Sequence, residues 1–163
     1  MGVLKNPSLI LKFRISMLLF IIGLVLSGVT AFPLLLELRI LTRWMSDIGP
    51  SGLVLWLITI RDGLEATYAS YPWIAYGTDW LAFGHLVIAM FFIHPLIHPR
   101  LSRPNIIAGM VACIAIFPLA MICGSLREIP FYWRLIDCSF GLIGLIPLIY
   151  CLRLLRKIEA ETE

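Results

Sequence analysis

Long apolar runs alternate with shorter polar segments along this chain, and the runs are of membrane length. Residues 15–36 carry no charge and are interrupted only by small residues and Pro33. About 20 apolar residues cross the hydrocarbon core as a helix, so this run is a predicted first span. Three more follow at 80–97, 105–123 and 132–152. Asn6-Pro7 reads as an N-cap and first-turn proline opening the first helix, with Lys5, Lys12 and Arg14 near its start. Short connections at 98–104 and 124–131 imply antiparallel neighbours. The pattern predicts an all-α membrane protein: an antiparallel four-transmembrane-helix bundle forming a single integral membrane domain over 1–163.

Between the first two spans lies a polar and aromatic stretch, 37–79, with Arg39, Arg43, Asp47, Arg61, Asp62 and Glu65. Gly49-Pro50-Ser51-Gly52 is a turn signal within it. Residues 53–60 are apolar but too short to span, which leaves an interfacial helix, a re-entrant piece or a strand. So long a connection without regular structure is unusual, so the stretch is expected to fold as a partly interfacial, extracytoplasmic cap.

Small residues at helical spacing predict where the helices meet. Gly23, Ser27 and Ala31 form one such face, and Ala108 and Ala112 another. Pro118 is a candidate kink in the third span. In the fourth, Arg134, Asp137, Gly141, Gly144, Leu148 and Cys151 share one stripe. Val29-Thr30-Ala31 would serve as a signal-peptide cleavage site. The apolar run continues past it to Leu36, which favours a retained span.

Composition reinforces the class. Of 163 residues, 60% are apolar and 14% charged, well below the ~25% charged of soluble domains. The net charge of +3 is too small and too scattered for a nucleic-acid footprint. Placement of the basic residues orients the chain. With both termini cytoplasmic, eight basic residues fall inside (Lys5, Lys12, Arg14, Arg100, Arg103, Arg153, Arg156, Lys157) and five outside (Arg39, Arg43, Arg61, Arg127, Arg134). The positive-inside rule therefore favours N-in/C-in, in a bacterial cytoplasmic membrane. All five tryptophans, Trp44, Trp56, Trp73, Trp80 and Trp133, then lie on the outer side. Such rings suit the headgroup layer, or a pocket for a lipid-, quinone- or isoprenoid-like ligand.

Ionisable groups inside spans are expensive and mark functional sites. His85 shares a face with Thr78, Ala82, Ala89 and Phe92. Together with Arg127, Trp133, Arg134 and Asp137 it forms a candidate ligand-binding constellation. The arginines would supply charge-assisted hydrogen bonds, and the Asp/His pair an acid–base couple. The structural alternative is that Arg134 and Asp137, three apart, pair with each other.

No cofactor or metal is indicated. His94 and His98 share a helical face, but prolines follow both and no acidic or cysteine ligand lies nearby. Haem would need Met110, Met121 or a second copy as the other axial ligand. A quinone remains a conceivable ligand. Cys123 and Cys138, and Cys113 and Cys151, fall at similar depths in an antiparallel hairpin, so a Cys123–Cys138 disulfide is conceivable. Without C-x-x-C, thiol redox chemistry is poorly supported. Phosphate-binding, nucleophile-elbow, dinucleotide and zinc-protease motifs are missing, and no catalytic residue is assigned. Three functions stay open. One is a binder of a lipophilic or amphipathic ligand, or of a partner subunit, at the outer face. The second is a membrane-embedded enzyme or redox component using His85, Arg134 and Asp137. The third is an assembly subunit, homo-oligomeric or within a larger membrane complex.

Overall fold

A polypeptide in hydrocarbon must satisfy its backbone hydrogen bonds internally, and an apolar chain without a barrel pattern does so as helices. The computed structural model describes residues 7–45, 49 and 51–161, and among these it contains helices and no strand. In chain order the helices are α1 (Pro7–Ala31), α2 (Leu34–Met45), α3 (Gly52–Ser70), α4 (Ala75–Phe91), α5 (Ile93–Ile97), α6 (Arg103–Leu126) and α7 (Phe131–Ala160). Short 3₁₀ turns at Pro72–Ile74 and Pro99–Leu101 precede α4 and α6. Four segments are long and apolar enough to cross a membrane: Pro7–Ala31, Pro72–Ile97, Arg103–Leu126 and Phe131–Ala160. Only 22% of each apolar window is buried by the chain itself, which leaves large apolar side chains exposed along all four.

The boundaries shift from those expected. The first helix does begin at Pro7, but it ends at Ala31, because Pro33 stops it and α2 starts one residue later. Asn6, Lys5 and Asp47 lie outside the described residues. The second span starts at Pro72 rather than 80, since the aromatic residues Trp73, Tyr76 and Trp80 are themselves helical. The fourth helix runs on to Ala160, because charged residues can stay helical beyond the apolar run.

Contacts divide the chain into two compact units. Among the described residues, the first comprises 7–23 and 89–161. Its centre is the α6–α7 hairpin. Gly109 faces Leu148, Gly124 faces Arg134, and Gly141 and Gly144 face Cys113, so paired numbers total 254–258 and the helices are antiparallel. The expected stripe on α7 is the packed face: Gly141, Leu148 and Cys151 are buried, with Leu155 and Ile158 continuing it. The start of α1 joins through Phe13 and Met17, both fully buried. Ser16 Oγ donates to Pro147 O (3.1 Å), and Cys151 Sγ to Phe13 O (3.6 Å). Pro95 lacks the N–H that would pair Phe91 O, and Asn105 Nδ2 donates to that carbonyl instead (3.1 Å).

The second unit is Leu24–Ile88. Residues 53–60 belong to α3, a 19-residue helix and not a strand. Ser51 caps it, its hydroxyl accepting from Val54 N at 3.3 Å. Gly49 sits at φ +85°, the conformation the turn signal anticipates, while Pro50 lies outside the described residues. The α2–α3 hairpin buries Leu38, Thr42, Val54 and Leu57. Arg39 Nε donates to Glu65 Oε1 (2.6 Å) and Arg61 Nη1 to Thr42 Oγ1 (3.1 Å) across the seam.

The small-residue faces require correction. Gly23 has nothing within 4 Å of a hypothetical Cβ and Ser27 is exposed; the packed position on α1 is Gly28. A Cβ there would lie 2.9 Å from Ala82 O and 3.1 Å from His85 Cβ. Ala108 and Ala112 are also exposed, and α6 packs through Ile106, Gly109, Cys113 and Gly124. In a uniformly apolar helix the lipid-facing and packed sides have the same character, so pattern alone does not separate them. Pro118 lies inside α6 and the helix continues through it.

Candidate functional site

The turn between α6 and α7 places the charged end of the stripe. Helix α6 closes with two bonds, Ile129 N donating to Gly124 O (2.9 Å) and Glu128 N to Ser125 O (3.2 Å). This is the Schellman arrangement, and it requires a left-handed residue, here Glu128 at φ +56°. Pro130 follows, and its carbonyl accepts from Trp133 N and Arg134 N, starting α7 at once. Arg127, Trp133, Arg134 and Asp137 are thereby gathered at one end of the hairpin.

Arg134 is the best-defined of them. Its alkyl stem lies across Gly124, where an added Cβ would meet Cδ at 2.7 Å and Cγ at 2.8 Å. Its guanidinium carbon stands 5.5 Å from the centroid of the Phe131 ring, a cation–π contact. Its Nε is buried and has no hydrogen-bond partner. Asp137 is half-buried one turn further along α7. The two do not pair: among the described residues, ion pairs within 4 Å include Arg39–Glu65, Arg61–Asp62 and Arg103–Glu159, and neither Arg134 nor Asp137 takes part in one. The expected structural alternative, mutual neutralisation, is therefore not what the geometry shows. Trp133 is half-buried and Arg127 exposed. The group thus offers a donor and an acceptor of opposite charge beside aromatic rings.

His85 belongs to the other unit, on α4. Its Nδ1 lies 2.9 Å from Leu81 O; since a carbonyl only accepts, Nδ1 donates this bond. Of the residues expected on its face, Ala82, Ala89 and Phe92 are buried and Thr78 is half-buried. The seats on Gly124 and beside Phe131 escaped the pattern reading, although the short turn fixes the hairpin register that would have paired positions 124 and 134.

His94 and His98 do come together, with ring centroids 5.0 Å apart, and both are exposed. Among the described residues no three His, Cys, Asp or Glu side chains gather in a way that could hold a metal ion. All four cysteines are free; Cys123 is exposed and Cys138 buried. Cys113 is level with Gly144 rather than Cys151. No protein-family model matches the chain, and no curated protein or solved structure matches it either. The class its fold defines is that of an all-helical membrane protein with four candidate spans.

Proposed function

We propose that the protein binds a lipophilic or amphipathic molecule at the Arg134–Asp137 end of the α6–α7 hairpin, on the non-cytoplasmic side of a bacterial cytoplasmic membrane. One observation carries this reading: the Arg134 Nε is buried, unpartnered and not neutralised by Asp137. A buried donor left unsatisfied costs about 1–3 kcal/mol, which an acceptor on a ligand head would recover. Phe131 and Trp133 supply apolar surface beside it, and the excess of basic residues at the opposite end supports the N-in/C-in orientation. The cap hairpin suits the interface. Leu36, Ile40 and Trp44 form an exposed apolar stripe along α2, and Tyr71, Trp73, Tyr76 and Trp80 stand exposed at the start of the second span. Lipid- and quinone-like molecules share the required chemistry, an acceptor-bearing head on an apolar body.

Mass spectrometry of molecules co-purifying in mild detergent tests the proposal. The wild type should retain a lipophilic species enriched over bulk lipid. Arg134→Met, which keeps the stem on Gly124 and removes the guanidinium, should lose it while remaining folded. No enrichment in the wild type would overturn the reading. A second reading has its own support: the outward-facing Gly23, Ser27, Ala108 and Ala112 fit a neighbouring helix, so a partner subunit or second copy in the same preparation would favour an assembly role.

A further inference from the structure

The other end of α7 carries a separate feature, about 29 Å along the helix from Arg134. There α1 and α7 run antiparallel, held by the Ser16–Pro147 and Cys151–Phe13 bonds. Beyond those bonds the helices border a half-open groove of about 500 Å³. Its lining includes four cationic side chains, Lys12 from α1 and Arg153, Arg156 and Lys157 from α7, and no acidic one. Leu9 and the buried Leu154 supply its apolar surface, and Tyr150 completes the lining. None of the four cations has an ion-pair partner within 4 Å among the described residues. The nearby pair Arg103–Glu159, 3.7 Å apart, uses a different arginine.

Positive charge at this end is ordinary for membrane topology, but topology requires only that basic residues lie near the span ends. Here four exposed cations border one groove with apolar walls, of a size that holds a small ligand. An exposed apolar track leads into it. On α7, Ile143, Ile146 and Tyr150 precede Arg153 and Lys157 at helical spacing; on α1, Leu19 and Ile15 precede Lys12 in the same way. The charged end matches a phosphate anion and the tracks match acyl chains. We propose that this groove is a binding site for the phosphate headgroup of an anionic phospholipid, with its chains along the Ile146 and Ile15 tracks. Basic pockets between transmembrane helices recognise such heads, and arginine is suited to them by its planar fork of donors. The site is independent of the Arg134 reading.

Native mass spectrometry of the full-length protein, titrated with phosphatidylglycerol or phosphatidylcholine, tests the assignment. Phosphatidylglycerol should bind preferentially. Arg153→Gln and Lys157→Gln should each weaken it about five-fold, and the double variant about thirty-fold. Arg103→Gln, which removes a cation at the same end but outside the groove, should leave binding unchanged, as should Arg134→Met. Equal binding of the two lipids, or equal loss in Arg103→Gln, would overturn the proposal by showing only diffuse charge. Full displacement of phosphatidylglycerol by inorganic phosphate in millimolar excess would overturn the lipid assignment and make free phosphate the ligand. Circular dichroism of each variant confirms folding; these side chains lie at a solvated helix end, so their removal should leave the helices intact.

Discussion

Between α6 and α7 the seam is made of glycines set against backbone and side chains, at Gly109, Gly124, Gly141 and Gly144, with the ion pair Arg103–Glu159 only at its far end. Between α2 and α3 the seam includes the Arg39–Glu65 ion pair and the Arg61–Thr42 hydrogen bond around Leu38, Val54 and Leu57. Both are antiparallel hairpins of apolar-rich helices. Their difference fits the two media proposed for them. Where lipid competes, apolar burial gains little over hydrocarbon, and close backbone approach supplies dispersion contacts instead. Where water and headgroups reach, polar cross-links can fix register, which fits the interfacial place proposed for α2 and α3.

The sharpest way to break this contrast is to thicken the glycine seam. In Gly141→Val the new Cβ would lie 2.6 Å from the Cys113 carbonyl oxygen and 3.2 Å from Phe117. Backbone cannot swing aside as a side chain can, so a loss of about 3 kcal/mol is expected. Detergent unfolding followed by circular dichroism measures it, with Gly23→Val, in open space, changing stability by no more than about 0.5 kcal/mol. Wild-type stability in the Gly141 variant would remove the basis of the comparison. A middle-sized effect belongs to Thr42→Val. The hydroxyl donates to Leu38 O (2.7 Å) while accepting from Arg61, so its removal should cost about 1 kcal/mol by the same assay. Smallest is Arg39→Ala. Its pair with Glu65 is 56% and 38% exposed, so about 0.5 kcal/mol is expected, fading in about 1 M salt. A salt-independent loss there would mean that α2 and α3 are sealed from water after all.

The fold class was legible because run length and hydropathy decide it: the four apolar runs are the four candidate spans. The α7 stripe was legible for a different reason, since charges and glycines stand out against an apolar background and the same residues line the hairpin. Which small residue on α1 packs was not legible. Gly23 and Gly28 have similar neighbours in sequence, and only the passage of Ala82 and His85 beside Gly28 distinguishes them. The start of the second span was misplaced because rings such as Trp73 and Tyr76 read as boundary markers, although helices carry them readily at an interface. At the candidate site, the residue types were visible in the sequence. The lack of an Arg134–Asp137 pair was not, because three-residue spacing allows a contact without requiring one.

The seat that Gly124 offers to the stem of Arg134 also constrains how this chain can change over generations. Any side chain at 124 meets Cγ and Cδ of residue 134 below 3 Å. A lineage that replaces the glycine must shorten or reorient the arginine, and one that keeps the arginine in this seat must keep the glycine. Two positions ten apart, on different helices, are therefore inherited as one choice, and a substitution at either is conditional on the state of the other.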